Sequence, residues 1–308
     1  MNDELNVTYI TLGGYVEVGK YRYLYFLIMC ALYVLIIFSN SIIVYLIWAH
    51  QNLHEPMYIF IAALSVNSIL FSTNIYPKLL VDFLSEKQII SYQACLFQYF
   101  MFYGLAGSDM LLLVAMAFDR YVSICKPLQY PTIMRKTTVN TLLLLAWFLP
   151  AMQIAVPTGL SVDKKLCDFT LKGIFCNNSF FKLHCFMSKA IYVFGLVSLL
   201  NLGLLPVLFI LFTYTKIIII SYRSGRDVRK KAAETCLPHL LVLICFFFLI
   251  IYDISIARID FDFPKSVRLI MTLQVVLYNP LFNPIIYGLK MKEISKHLKK
   301  LFRGVKLS

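Results

Sequence analysis

Seven long apolar runs constrain this chain more than any other feature. They are roughly Tyr23–Trp48, Met57–Leu80, Ala94–Ile124, Val139–Leu160, Ala190–Ile220, Thr235–Ala257 and Val267–Leu289. At about 1.5 Å of rise per residue, each is long enough to cross a hydrocarbon layer of about 30 Å as a helix. Hydrocarbon offers nothing to an unpaired backbone group, so a span of this length is helical. Polar residues interrupt the second and third runs, and hydropathy alone leaves the count between six and eight. Hydrophobic residues make up 60% of the 308 positions and charged ones only 15%, with a mean hydropathy of +0.74. A soluble domain carries about a quarter charged residues. No soluble domain, repeat or low-complexity linker interrupts the pattern, so residues 1–308 read as one membrane bundle.

A net charge of +13 is compatible with a nucleic-acid partner, but its placement excludes one. Lysine and arginine cluster at Arg135-Lys136, Arg223–Lys231 and Lys290–Lys306, which alternate with the opposite set of loops. That is the bias expected of cytosolic loops, facing anionic lipid and an acidic partner surface. The sequon Asn6-Val7-Thr8 has meaning only on the lumenal side. An odd number of spans then places residues 1–22 outside the cell and residues 290–308 inside. No apolar core precedes the first span, which is expected to serve as a signal anchor. After the last span, apolar residues at 291, 294, 298, 301 and 302 share one helical face opposite lysines. They predict a short amphipathic helix on the inner leaflet.

Two strings carry chemistry. Met116–Cys125 sets Asp119, Arg120 and Tyr121 at the end of the third apolar run, where charges are costly unless they serve a purpose. Arg120 either snorkels as an anchor or alternates between its neighbouring acid and the carbonyls of a partner helix. Pro280–Tyr287 places Asn283, Pro284 and Tyr287 within the last run. Proline there removes a backbone hydrogen bond, and a neighbouring asparagine can satisfy what is freed. A kinked helix with two nearly equal arrangements is an element that a ligand can bias.

Together these strings resemble the paired signatures of rhodopsin-like (class A) G protein-coupled receptors. Cys125–Tyr130 extends the match, and Leu53–Tyr58, Lys230–Leu240 and the long loop Asp163–Lys189 resemble the odorant (olfactory) receptor branch. The Ala232–His239 wording is most similar to receptors of fishes. The resemblance implies an all-α seven-transmembrane bundle in which Asp119, Arg120, Tyr121, Tyr214, Asn283, Pro284 and Tyr287 couple to a heterotrimeric G protein. Cys95, Cys167, Cys176 and Cys185 lie on the outer side, where disulfides persist, and allow three pairings. The resemblance implies Cys95–Cys176 and Cys167–Cys185. Zinc would need closer paired spacing, and no metal or other cofactor is expected. Asn177-Asn178-Ser179 is a second glycosylation sequon. The second helix lacks the carboxylate with which the wider class can hold sodium. Asp109 is either a partial substitute or a buried acid bonded to Asn67, Ser68 or Asn283.

By the same resemblance the odorant pocket lies in the outer third of the bundle, under the loop. Phe102, Tyr103, Ala106 and Gly107 face it from the third helix, the last two small enough to leave room. Gln153, Ser198 and Asn201 would add polar points, and Ile250, Ile251, Asp253, Ile254 and Arg258 would line it from the sixth span. Arg258 either grips an acidic ligand or pairs with Asp260 or Asp262. A visual pigment is excluded, because Val267–Leu289 holds no lysine for a Schiff base. Transport would call for repeated halves and broken helices, and no nucleophile, metal or phosphate motif supports an enzyme. The competing reading is a non-olfactory chemosensory or peptide receptor of the same fold. The implied mechanism is a population shift that opens the cytosolic face to a stimulatory, cyclic-AMP-raising G protein.

Overall fold

The computed structural model describes residues 8–186, 188–223, 240, 243–244 and 264–305. Five of its helices are long and apolar enough to cross a membrane: α1 (Val18–Ala49), α2 (Pro56–Leu84), α3 (Tyr92–Cys125), α4 (Lys136–Gly159) and α5 (Lys189–Arg223). A sixth, α6 (Lys265–Lys290), bends by 43° between Lys265–Tyr278 and Pro280–Gly288, where prolines break the backbone ladder. Of the remaining expected span, Thr235–Ala257, only Leu240, Leu243 and Ile244 are described, and Leu243 is buried in the core; Asn6 lies outside the described residues. The architecture is an all-α membrane bundle.

Polar residues break the second and third apolar runs because these two helices form the centre. Asn67, Ser68, Ser72, Gln98, Ser108 and Asp109 all point inward and are buried. Lipid therefore meets an apolar surface even though the sequence is mixed. Pro56 opens α2 at a position where its missing N–H costs nothing. Ser91 caps α3 by accepting from the Ala94 amide at 3.3 Å. In α5 a π-helical stretch, Leu199–Leu204, interrupts the α-helical ladder.

A final helix, α7 (Lys292–Val305), carries the expected amphipathic pattern, but its apolar face is used differently. Met291 and Ile294 are buried in the bundle's lower core, with Leu298 and Leu301 packed beside them. The helix therefore docks against the protein.

At the opposite end is a small sheet that the apolar runs do not announce. Strand β1 (Tyr9–Leu12) pairs antiparallel with β2 (Ile89–Ser91), Ile10 opposite Ile90, and parallel with β3 (Thr170–Leu171), Leu12 beside Leu171. Ile10 and Leu12 point inward while Tyr9 and Thr11 face out, the alternation of a strand covered on one side. The chain leaves β1 through Gly14, whose amide donates to the Gly173 carbonyl at 3.1 Å. A Cβ on Gly14 would lie 2.6 Å from the Gly173 backbone carbon. Gly14→Val is thus expected to part the strand from the loop and cost about 1–3 kcal/mol. Surface abundance and thermal stability of the purified variant would measure the loss, and values equal to the parent's would contradict it.

Candidate functional site

Two disulfides tie the loop between α4 and α5 over the end of the bundle that bears the sheet. Cys95 at the start of α3 is joined to Cys176, and Cys167 to Cys185. The loop is also stitched by side chains of α3. Gln98 Oε1 accepts from the Cys176 amide at 2.9 Å, and Tyr103 Oη accepts from the Asn178 amide at 2.9 Å. Tyr103 is therefore part of what holds the roof. Asn177 is 8% exposed and its Oδ1 caps the next turn by accepting from the Ser179 amide at 3.1 Å.

Beside the roof is an ion pair that sequence reasoning missed. Lys78 pairs with the buried Asp82 one turn further along α2, and Tyr15 donates to Asp82 Oδ2 at 3.0 Å. Asp82 is only 1% exposed, so the N-terminal segment satisfies a carboxylate that burial would otherwise penalise. The i, i+4 spacing of Lys78 and Asp82 was legible; the tyrosine arriving from residue 15 was not.

Below the roof the residues expected to line a pocket do not share one environment. Phe102 is buried in an aromatic stack, 5.1 Å from Phe71 and 4.9 Å from Phe175 between ring centroids. Ala106 packs between the upper and lower cores. Gly107 does not leave room. A Cβ there would lie 2.7 Å from Pro150 Cβ and 3.2 Å from Leu202 Cδ1, so its smallness lets α3, α4 and α5 meet. The empty space lies one turn further up, at Gly104, which sequence reasoning passed over. Gly104 is buried, yet among the described residues nothing lies within 4 Å of a Cβ placed on it. Asn201 is exposed on α5 and does not line the interior. Gln153 Nε2 and Ser198 Oγ are buried without a hydrogen-bond partner among the described residues. Ile250, Ile251, Asp253, Ile254 and Arg258 lie outside the described residues.

In the middle of the bundle Asp109 is 3% exposed, and its Oδ1 accepts from Asn67 Nδ2 at 2.7 Å. Asn67 also donates to the Leu105 carbonyl at 2.9 Å and accepts from Trp147 Nε1 of α4 at 3.1 Å. Of the three partners anticipated for this acid, the one observed is Asn67. Asn283 donates to Ser68 Oγ at 3.3 Å instead of serving the proline kink. Pro284 leaves the carbonyl of Pro280 without its helical donor, and Asn40 of α1 supplies one at 2.9 Å. The satisfying asparagine thus comes from another helix. Its Cα approaches because α1 and α6 pack side by side, a fact no local pattern encodes.

At the end opposite the disulfides, Asp119 is fully buried. It accepts from Arg120 Nε at 2.8 Å and again from an Arg120 terminal nitrogen. Tyr130, in the one-turn helix Tyr130–Ile133 that follows α3, donates to its second oxygen at 2.7 Å. Burial first, and then the Asp119 charge, hold the Tyr130 phenol well above its ordinary pKa, so it stays a donor. Tyr121 is half-buried, Tyr214 and Tyr287 are buried in the same lower core, and Leu128 at the loop apex is 96% exposed.

Comparison with known proteins gives one answer. A family model described as olfactory receptor matches residues 29–304. Human olfactory receptor 11A1 is 32% identical over 307 residues, covering 96% of this chain and 94% of its own length. Human olfactory receptor 8G1 is 35% identical, covering 97% and 96%. The dog olfactory receptor-like protein OLF4 is 31% identical, covering 99% of each.

Proposed function

This chain belongs to the olfactory receptor family and is an odorant-binding, G protein-coupled membrane receptor; on that premise we propose where it binds and how it signals. Odorants dock between α3, α4 and α5 beneath the disulfide-tied roof, touching Phe102, Tyr103, Ala106, Gln153 and Ser198, with the sixth-span residues closing the remaining side. Residues 1–22 face the exterior and residues 290–308 the cytosol. The partner is a stimulatory, cyclic-AMP-raising G protein, which enters between Arg120, Tyr214 and the basic segment Arg223–Lys231.

The observation that carries this reading is the cluster of Asp119, Arg120 and Tyr130 at the end remote from the disulfides. A guanidinium whose side chain is 12% exposed and held by one neighbouring carboxylate can be released by a small motion. The bend of α6 between Tyr278 and Pro280, followed by Asn283, Pro284 and Tyr287, is the hinge through which a ligand favouring one arrangement biases that release. Leu128, apolar and fully presented between basic residues, suits an apolar pocket on the partner.

The test is odorant-evoked cyclic AMP in cells expressing the chain, normalised to surface abundance. Arg120→Ala is expected to lower the response at least about tenfold, as loss of a charge-assisted contact worth about 1.5–3 kcal/mol implies. A response that survives this substitution would remove Arg120 from the coupling step. A response carried only by calcium would replace the stimulatory partner with another class.

A further inference from the structure

The joint between α7 and the loop that connects α1 to α2 is polar, and two of its members are histidines. His50 caps the end of α1, and its Nδ1 donates to the Leu46 carbonyl at 3.0 Å. His297 on α7 packs against it, the ring centroids 3.8 Å apart. The one-turn helix Gln51–Leu53 supplies Asn52, whose Nδ2 donates to His297 Nε2 at 3.2 Å. Both sides of the joint are rooted in the lower core, through Leu53 under the loop and Met291 and Ile294 under α7. Those core contacts are apolar and indifferent to pH. Imidazole is the side chain that titrates near neutrality, and here it sits where the two elements meet.

The two hydrogen bonds fix the protonation states. A carbonyl only accepts, so His50 carries its hydrogen on Nδ1; an amide nitrogen only donates, so His297 Nε2 is bare. A proton added to that nitrogen would point straight at the Asn52 N–H. The surroundings resist it as well. Among the described residues the charged groups that act on His297 are Glu293, Lys296 and Lys300 of its own helix, with His50 across the joint. Glu293 is shared with Lys296 at 3.9 Å, so one acid faces two lysines. From the loop side His54 turns to the Trp48 carbonyl at 3.3 Å, and Glu55 acts on Tyr58 and Tyr130. Desolvation first, and then His50 and Lys300, hold His297 below its ordinary pKa.

We propose that His50, Asn52 and His297 form a proton-sensitive clasp on the cytosolic face. With both imidazoles neutral it holds α7 to the loop. When His297 takes up a proton, the bond from Asn52 breaks, a cation stands beside Lys296 and Lys300, and α7 lets go. An undocked α7 leaves His297 in water with its ordinary value of about 6.5, above that of the docked state. The undocked form therefore binds the proton more readily, so docking is complete above about pH 6.5 and weakens as pH falls below it. A drop in pH would thereby loosen the element that packs beside Tyr214 and Tyr287 in the lower core. The cytosolic placement rests on the orientation proposed above; the clasp itself does not.

The test is amide hydrogen exchange of residues 292–305 in the full chain held in lipid nanodiscs, corrected for the intrinsic rate. Two conditions, about pH 7.5 and about pH 5.5, bracket the ordinary histidine value. Protection is expected to fall at least about fivefold at the lower pH. His297→Gln keeps an acceptor for Asn52 without titrating, and its α7 should be equally protected in both conditions. Asn52→Asp sets an acid beside the imidazole, which favours the charged form, and should keep α7 protected at the lower pH. That gained resistance is a readout misfolding cannot mimic. Equal protection of the parent in both conditions, or a fall that persists in His297→Gln, overturns the clasp. Should His297→Gln fail to fold, Asn52→Asp decides, because a fall as large as the parent's overturns it too. Both faces of a nanodisc meet the buffer, so these results do not depend on orientation. A C-terminal tag reached by antibody on intact cells would overturn the cytosolic placement together with the orientation reading, and only those.

Discussion

Replacing Cys95 with serine is expected to remove most of the receptor from the cell surface. The bond to Cys176 closes a separation of 81 residues, and both sulfurs are fully buried. Loss of a native disulfide costs about 2–5 kcal/mol, a large share of the about 5–15 kcal/mol that holds a typical domain together. Here the loss propagates. Cys176 fixes the backbone that Gln98 holds, and the segment after it carries the amide bonded by Tyr103. Cys167→Ser, which opens a separation of only 18 residues at the rim of the roof, should cost less. Flow cytometry of an N-terminally tagged receptor reads both. Equal surface levels for Cys95→Ser and the parent would show that the roof stands without its main tie.

Asp119→Asn should raise signalling in the absence of odorant. The carboxylate holds two partners at once, Arg120 on its own helix and Tyr130 in the following loop. Removing its charge leaves the guanidinium without its counter-ion, so contacts of Arg120 with a G protein no longer compete with an internal pair. A charge-assisted contact worth about 1.5–3 kcal/mol shifts such an equilibrium roughly tenfold or more in favour of the coupled state. Tyr130→Phe removes one neutral donor and should move basal cyclic AMP in the same direction by a few-fold at most. The double variant should add little to Asp119→Asn, because the tyrosine acts through that carboxylate. Basal activity unchanged in Asp119→Asn would mean that the pair is an anchor and not a latch.

The parts legible in the sequence are those written locally. Span positions follow from length and hydropathy, and inward-facing Asn67, Ser68 and Asp109 were marked by the polar breaks they make in apolar runs. The switch string around Arg120 stood out because charge beside hydrocarbon is rare. What escaped depends on which distant segments meet. Asn283 was the obvious donor for the proline kink by proximity in sequence, but Asn40, 240 positions away, reaches the freed carbonyl. Gly107 was read as space because it is small, yet smallness served helix contact, and the space fell at Gly104. Strand β1 was passed over because four alternating residues are a weak signal until two partner strands are known. Tyr15 and Asp82 form another such meeting, 67 residues apart.

That first strand has a consequence for how the molecule matures. Its middle position in the sheet means that one neighbour is made after α2 and the other only after α4. During synthesis β1 therefore has both edges bare while α1 and α2 are laid down, and one edge bare until β3 follows α4. Bare edges invite pairing with other chains. Maturation should thus include a late, slow zippering step, during which newly made receptors are most prone to cling to one another.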